Sequence, residues 1–98
     1  MLNIRIRNDN QSEDITLSEG PLSMGRVEEP GANRTVINDR YVSRKQLTIE
    51  ELPNETVRIN NHGSKITFSD GTAAEKGETV EVNVPVGITV GFTTLEIT

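Results

Sequence analysis

The chain has 98 residues, enough for one domain with a single thin core and too few for a core plus a deep substrate cavity. Its net charge of -5 and its three aromatic residues, Tyr41, Phe68 and Phe92, argue against general nucleic-acid binding, which needs a basic surface and rings to stack bases on. The absence of cysteine excludes disulfides, thiolate-ligated zinc and a Cys nucleophile, and no apolar run approaches the ~20 residues of a membrane helix.

The first predicted strand is in MLNIRIRNDN, where Leu2, Ile4 and Ile6 alternate with Asn3, Arg5 and Arg7. That period of two places one face inward and one outward. The segment has no apolar stretch of the kind a signal peptide carries, so a cytoplasmic location is expected. A turn follows at Glu19-Gly20-Pro21, and the longest irregular stretch runs from Gly25 to Arg34 through Glu28, Glu29, Pro30 and Gly31. It is expected to be a surface loop. Leu47 and Ile49 alternate with Thr48 and Glu50, Pro53-Asn54 turns the chain, and Val57 and Ile59 alternate with Arg58 and Asn60. Asp70-Gly71 and Lys76-Gly77 are turn pairs. Val80, Val82 and Val84 form a further alternation, punctuated by Pro85 and Gly87, and Leu95 and Ile97 form the last. The chain ends at Thr98, straight after that run, so residues 1–98 are expected to be a single domain excised from a longer multidomain protein.

Val, Ile and Thr number 9, 9 and 11, and these β-branched residues favour strands over helices. No window shows a convincing period of 3.6. Many short strands between tight turns predict an all-β sandwich or barrel.

Four features could carry chemistry, and each has a plain structural alternative. Gly25-Arg26 is either a turn glycine beside a solvated arginine or part of a ligand site. Ser43-Arg44-Lys45 sets a hydroxyl beside two cations, which suits a phosphate but also an ordinary basic turn. Asn60-Asn61-His62-Gly63-Ser64-Lys65 could contact a ligand or simply build a turn. His62, with no cysteine and no second histidine near it, is expected to be an exposed loop imidazole rather than a zinc ligand. Seven of the ten basic residues fall between Arg26 and Lys65: Arg26, Arg34, Arg40, Arg44, Lys45, Arg58 and Lys65. An acidic chain that gathers its cations on a few loops has a local use for them, and a phosphate group suits such loops. Arg34 and Arg40 have two readings, substrate selection beside the pocket or solvation of its rim.

Taken in order, these features resemble the forkhead-associated (FHA) domain. Gly25-Arg26 matches the family's Gly-Arg. Val42-Ser43-Arg44-Lys45-Gln46-Leu47 is similar to its Ser-x-x-His segment, with Gln46 in the place of His. Asn61 to Gly71 is similar to its two turn motifs, with Lys65-Ile66 replacing Asn-Gly and Asp70-Gly71 at the second turn. The resemblance spans nearly the whole chain and implies a sandwich of about eleven strands that binds phosphothreonine peptides through loops at one end. It implies that Arg26 and Ser43 bind phosphate oxygens, that Arg44 and Ser64 add contacts, and that Lys65 faces the peptide or the phosphate. Gly25 and Gln46 would structure the loops. The implied partner is a phosphothreonine-containing protein or peptide in signalling, with no cofactor, no metal, no nucleic acid and no membrane. The other readings are a degenerate scaffold that binds an unphosphorylated partner or itself, and an enzyme. The last is disfavoured, because one His and no Cys leave little to build an active site from.

Overall fold

The computed structural model describes residues 2–17, 20–30 and 33–98. They form eleven strands in two sheets and, among the described residues, no helix. The first sheet runs β2 (Gln11–Leu17), β1 (Leu2–Asn8), β11 (Thr93–Ile97), β10 (Val86–Val90), β7 (Ile66–Phe68) and β8 (Ala73–Ala74). The second runs β4 (Arg34–Val36), β3 (Leu22–Gly25), β5 (Leu47–Leu52), β6 (Thr56–Asn61) and β9 (Thr79–Asn83). Every pairing is antiparallel except β3 with β4.

The alternating runs supply the core. Leu2, Ile4 and Ile6 of β1 and Leu95 and Ile97 of β11 are buried on one side; Leu47 and Ile49 of β5 and Val57 and Ile59 of β6 are buried on the other. Each such aliphatic side chain contributes about 1.5–3 kcal/mol when fully removed from water. Val80 and Val82 of β9 and the following Val84 are only partly buried, because β9 is the edge of its sheet. The turns at Asp70-Gly71 and Lys76-Gly77 carry positive φ at their glycines, and Asn54 after Pro53 takes φ 64. The turn signals at Glu19 and Gly31 lie outside the described residues.

Backbone hydrogen bonds draw three loops together at one end. Arg26 N donates to Ser43 O (3.0 Å), joining the β3–β4 and β4–β5 loops. Gln46 N donates to Met24 O, while His62 N and Gly63 N both donate to Gln46 O, which adds the β6–β7 loop. The buried Asp39 fixes the other half of the β4–β5 loop to the β10–β11 turn. Its Oδ1 accepts from Tyr41 N (2.9 Å), and its Oδ2 accepts from Phe92 N (2.8 Å) and Thr93 Oγ1 (2.7 Å). This holds Tyr41 and Phe92 edge to face at 5.0 Å, with Arg40 over the Tyr41 ring.

Burial pushes the Asp39 pKa up, but the bonds from Thr93, Tyr41 and Phe92, with the charge of Arg40, outweigh it and leave it below the ordinary value. A lowered folded pKa means stability that is full above the unfolded pKa and is lost as pH falls through the folded one. Asp39→Asn turns an NH2 toward donors. It is expected to cost about 1–3 kcal/mol at pH 7. The difference from wild type should shrink as the pH drops below the ordinary Asp value, and urea titrations across that range measure it.

Candidate functional site

The centre of the loop cluster is Gln46, which is fully buried. Its Oε1 accepts from Ser43 N (2.9 Å), and its Nε2 donates to Asn61 Oδ1 (2.9 Å) and to Ser64 O (2.7 Å). Asn61, also fully buried, donates from Nδ2 to Ser64 O (3.0 Å) and Ala74 O (3.0 Å). One amide thus sets the backbone of the β4–β5 loop and another sets that of the β6–β7 loop, and the two amides are bonded to each other. An amide suits this position because it accepts and donates at once.

That arrangement brings two hydroxyls to the surface side by side. Ser43 Oγ and Ser64 Oγ are 3.0 Å apart, and Ser64 N donates to Ser43 Oγ (3.0 Å). Gly63 between the loops has to be glycine: a Cβ there would lie 2.5 Å from both Ser43 Cβ and Ser43 Oγ and 3.0 Å from Gln46 Oε1. The hydroxyls open onto a depression lined by Arg44, Lys45, Lys65 and Lys76, with Glu75 as its one carboxylate. Four cations against one anion make a positive surface on a chain whose net charge is -5. Lys65 Nζ is 3.7 Å from the Glu75 carboxylate with both side chains more than half exposed, a pairing that holds neither residue firmly.

Arg26 stands beside this depression rather than in its lining. Its Nε donates to Val42 O (3.0 Å), which turns the guanidinium toward the β4–β5 loop, and the residue stays exposed. Arg26, Ser43, Arg44, Ser64 and Lys65 therefore share one end of the sandwich, with Gly25 and Gln46 beneath them. Arg40 lies away from this depression, in one with Asn38, Tyr41 and Phe92.

Two expectations change. His62 is not an exposed loop imidazole: it is half-buried at the end of β6, its Nε2 is 3.0 Å from Thr48 Oγ1, and it lines the depression. Burial, and then the charge of Lys45, lower its pKa, which favours the neutral ring. Arg34 is not at the rim: only 7% of its side chain is exposed. Asn61, for which both ligand contact and turn chemistry are expected as alternatives, is buried beneath the depression, and Lys76, expected only as a turn residue, lines it. The signal for Asn61 was its place one residue before His62-Gly63; Lys76 carried none beyond its turn.

No protein-family model matches the chain, and no curated protein sequence matches it. Solved structures do. The FhaA FHA domain complexed with the intracellular domain of Rv3910 superposes with a TM-score of 0.76 at 15% identity, covering 100% of both chains. A structure described for phosphothreonine-dependent FHA domain interactions gives 0.69 at 16% identity, over 97% of this chain and 94% of that one. The cytoplasmic domain of the type III secretion sorting platform protein PscD from P. aeruginosa gives 0.72 at 23% identity, over 99% and 78%. Eleven strands in two sheets, in this order and at this likeness, are the fold of a forkhead-associated domain.

Proposed function

We propose that the chain is a non-catalytic module that binds phosphothreonine-containing proteins or peptides. The observation that carries this reading is the pair of serine hydroxyls, 3.0 Å apart on two loops locked by the buried Gln46, beneath four cations. A phosphothreonine presents about -1.5 to -2 charge and three strong acceptor oxygens at pH 7. Hydroxyls, a loop amide, guanidinium and ammonium groups are all donors to it. In this reading Arg26 and Ser43 hold phosphate oxygens, Arg44 and Ser64 add donors, and Lys65 supplies a mobile point charge. Gln46 takes the loop-shaping place that histidine has in the family. The likeness to FHA domains described through their complexes and interactions supports a binding role rather than an enzymatic one. Among the described residues no helix is long and apolar enough to cross a membrane.

Glu75 favours a second reading. A carboxylate in the depression repels a dianion, and an unphosphorylated partner would not meet that cost. Titration calorimetry with matched phosphothreonine, phosphoserine and unphosphorylated peptide libraries separates the two. Phosphothreonine peptides are expected to bind, unphosphorylated ones not. Phosphoserine should bind about fourfold more weakly, since one buried methyl is worth about 0.8 kcal/mol. Equal binding of phosphothreonine and phosphoserine peptides would point to a generic anion patch, and binding of unphosphorylated peptides alone to the scaffold reading.

A further inference from the structure

Arg34 opens β4, yet its guanidinium reaches inward across three segments. Nη1 donates to Ser23 Oγ on β3 (2.7 Å). Nη2 donates to Val27 O in the β3–β4 loop (2.6 Å) and to Arg44 O in the β4–β5 loop (2.8 Å). Nε is buried with no partner among the described residues. Its one described ion pair, with Glu29, is long at 3.9 Å. A buried cation held mainly by neutral carbonyls is costly, and simple solvation of a rim does not account for it. The geometry around Gly25 points the same way. A Cβ on Gly25 would lie 2.0 Å from Arg44 O and 2.6 Å from Arg34 Nη2. The absent side chain is what lets the guanidinium and the Arg44 carbonyl meet over β3.

We infer that Arg34 is a positioning residue for anion binding: its fork clamps the loop carrying Arg26 to the loop carrying Ser43, Arg44 and Lys45. It thereby sets the spacing between the two halves of the site. This role rests on the proposed phosphopeptide function; the clamp itself is a property of the fold. Shape matters here more than charge. The planar guanidinium offers donors on separate nitrogens, so Ser23 Oγ and the two carbonyls are met from different directions. A lysine ammonium places all its donors on one atom.

Arg34→Lys and Arg34→Met test the clamp by two readouts. The first is amide hydrogen exchange in the free protein, comparing Arg26 N–H, which bridges the two loops to Ser43 O, with Ile59 N–H in the interior strand β6. The second is affinity for a phosphothreonine peptide at two salt concentrations. In both variants Arg26 should exchange at least about 10-fold faster while Ile59 changes far less, because only the local opening is eased. Affinity should fall about 10-fold in both variants. In Arg34→Lys, which keeps the charge, the salt dependence should stay as in wild type. Arg34→Lys retains the buried charge and keeps the test open if Arg34→Met does not fold. Unchanged Arg26 exchange in Arg34→Lys overturns the clamp. Faster exchange with full affinity, or full affinity in Arg34→Lys alone, overturns the positioning role. A wild-type chain that binds no phosphopeptide is a separate result: it sinks the proposed function, and the role in anion binding with it, while the exchange readout still decides the clamp.

Discussion

Gln46→Leu is expected to destabilise the domain by about 3 kcal/mol or more. The side chain is fully buried and makes three hydrogen bonds, to Ser43 N, Asn61 Oδ1 and Ser64 O. Leucine fills similar space and satisfies none of them. A buried polar group left unmade costs about 1–3 kcal/mol; Ser43 N loses its acceptor outright, and Asn61 Oδ1 is left with only the longer bond from Gly63 N (3.3 Å). Ser64 O keeps its bond from Asn61 Nδ2, so its loss is smaller. For a domain of this size about 1 kcal/mol shifts Tm by roughly 4–8 °C, so the melting temperature should fall by more than about 12 °C. Gln46→His should fall between the two. A neutral imidazole has one donor and one acceptor and can replace two of the three bonds. Urea denaturation with all three chains measures the order. A Leu variant within about 1 kcal/mol of wild type would mean that Gln46 fills space and organises nothing, against the usual cost of a broken buried network.

The fold was legible where a strand has one face on the core. β1, β5, β6 and β11 show the alternation because their inward residues are buried and their outward ones are not. β2 hides because it is an edge strand: Ser12, Glu13 and Asp14 are all exposed, and only Leu17 is buried in it. β4 and β8, at three and two residues, are too short to display a period. The candidate site divides in the same way. Gly25, Arg26, Ser43, Arg44, Ser64 and Lys65 could be picked out because a family motif fixes their order along the chain. His62 was misread because its environment depends on Thr48, fourteen residues away on the neighbouring strand. The solvated-rim reading of Arg34 fails for a similar reason: nothing near it in sequence tells an inward guanidinium from a solvated one. Its direction is set by the Arg44 carbonyl and the missing side chain of Gly25. Short-range pattern reports which face a residue takes, and long-range pairing decides what it does there.

Arg26→Ala and Ser43→Ala are each expected to weaken phosphothreonine-peptide binding by roughly 10- to 100-fold, since a hydrogen bond to a charged group is worth about 1.5–3 kcal/mol. The two losses have different signatures. Arg26→Ala removes a charge, so binding should also become less sensitive to salt. Ser43→Ala removes only a hydroxyl and should leave the salt slope unchanged. Neither should unfold the chain. Arg26 is exposed and gives up one bond to Val42 O; Ser43 gives up its contacts with Ser64 N and Ser64 Oγ at the surface. Each loss should cost about 1 kcal/mol of stability, small beside the change in affinity. The double variant should lose less than the sum of the two, because groups that share one phosphate are coupled. Proton linkage adds a check. Affinity should decline below about pH 6 as the phosphate takes up its second proton. Titration calorimetry with each variant, at two salt concentrations and across that pH range, reads all of these. Unchanged affinity in both single variants would remove the paired hydroxyls and Arg26 from the binding surface and place it elsewhere on the sandwich.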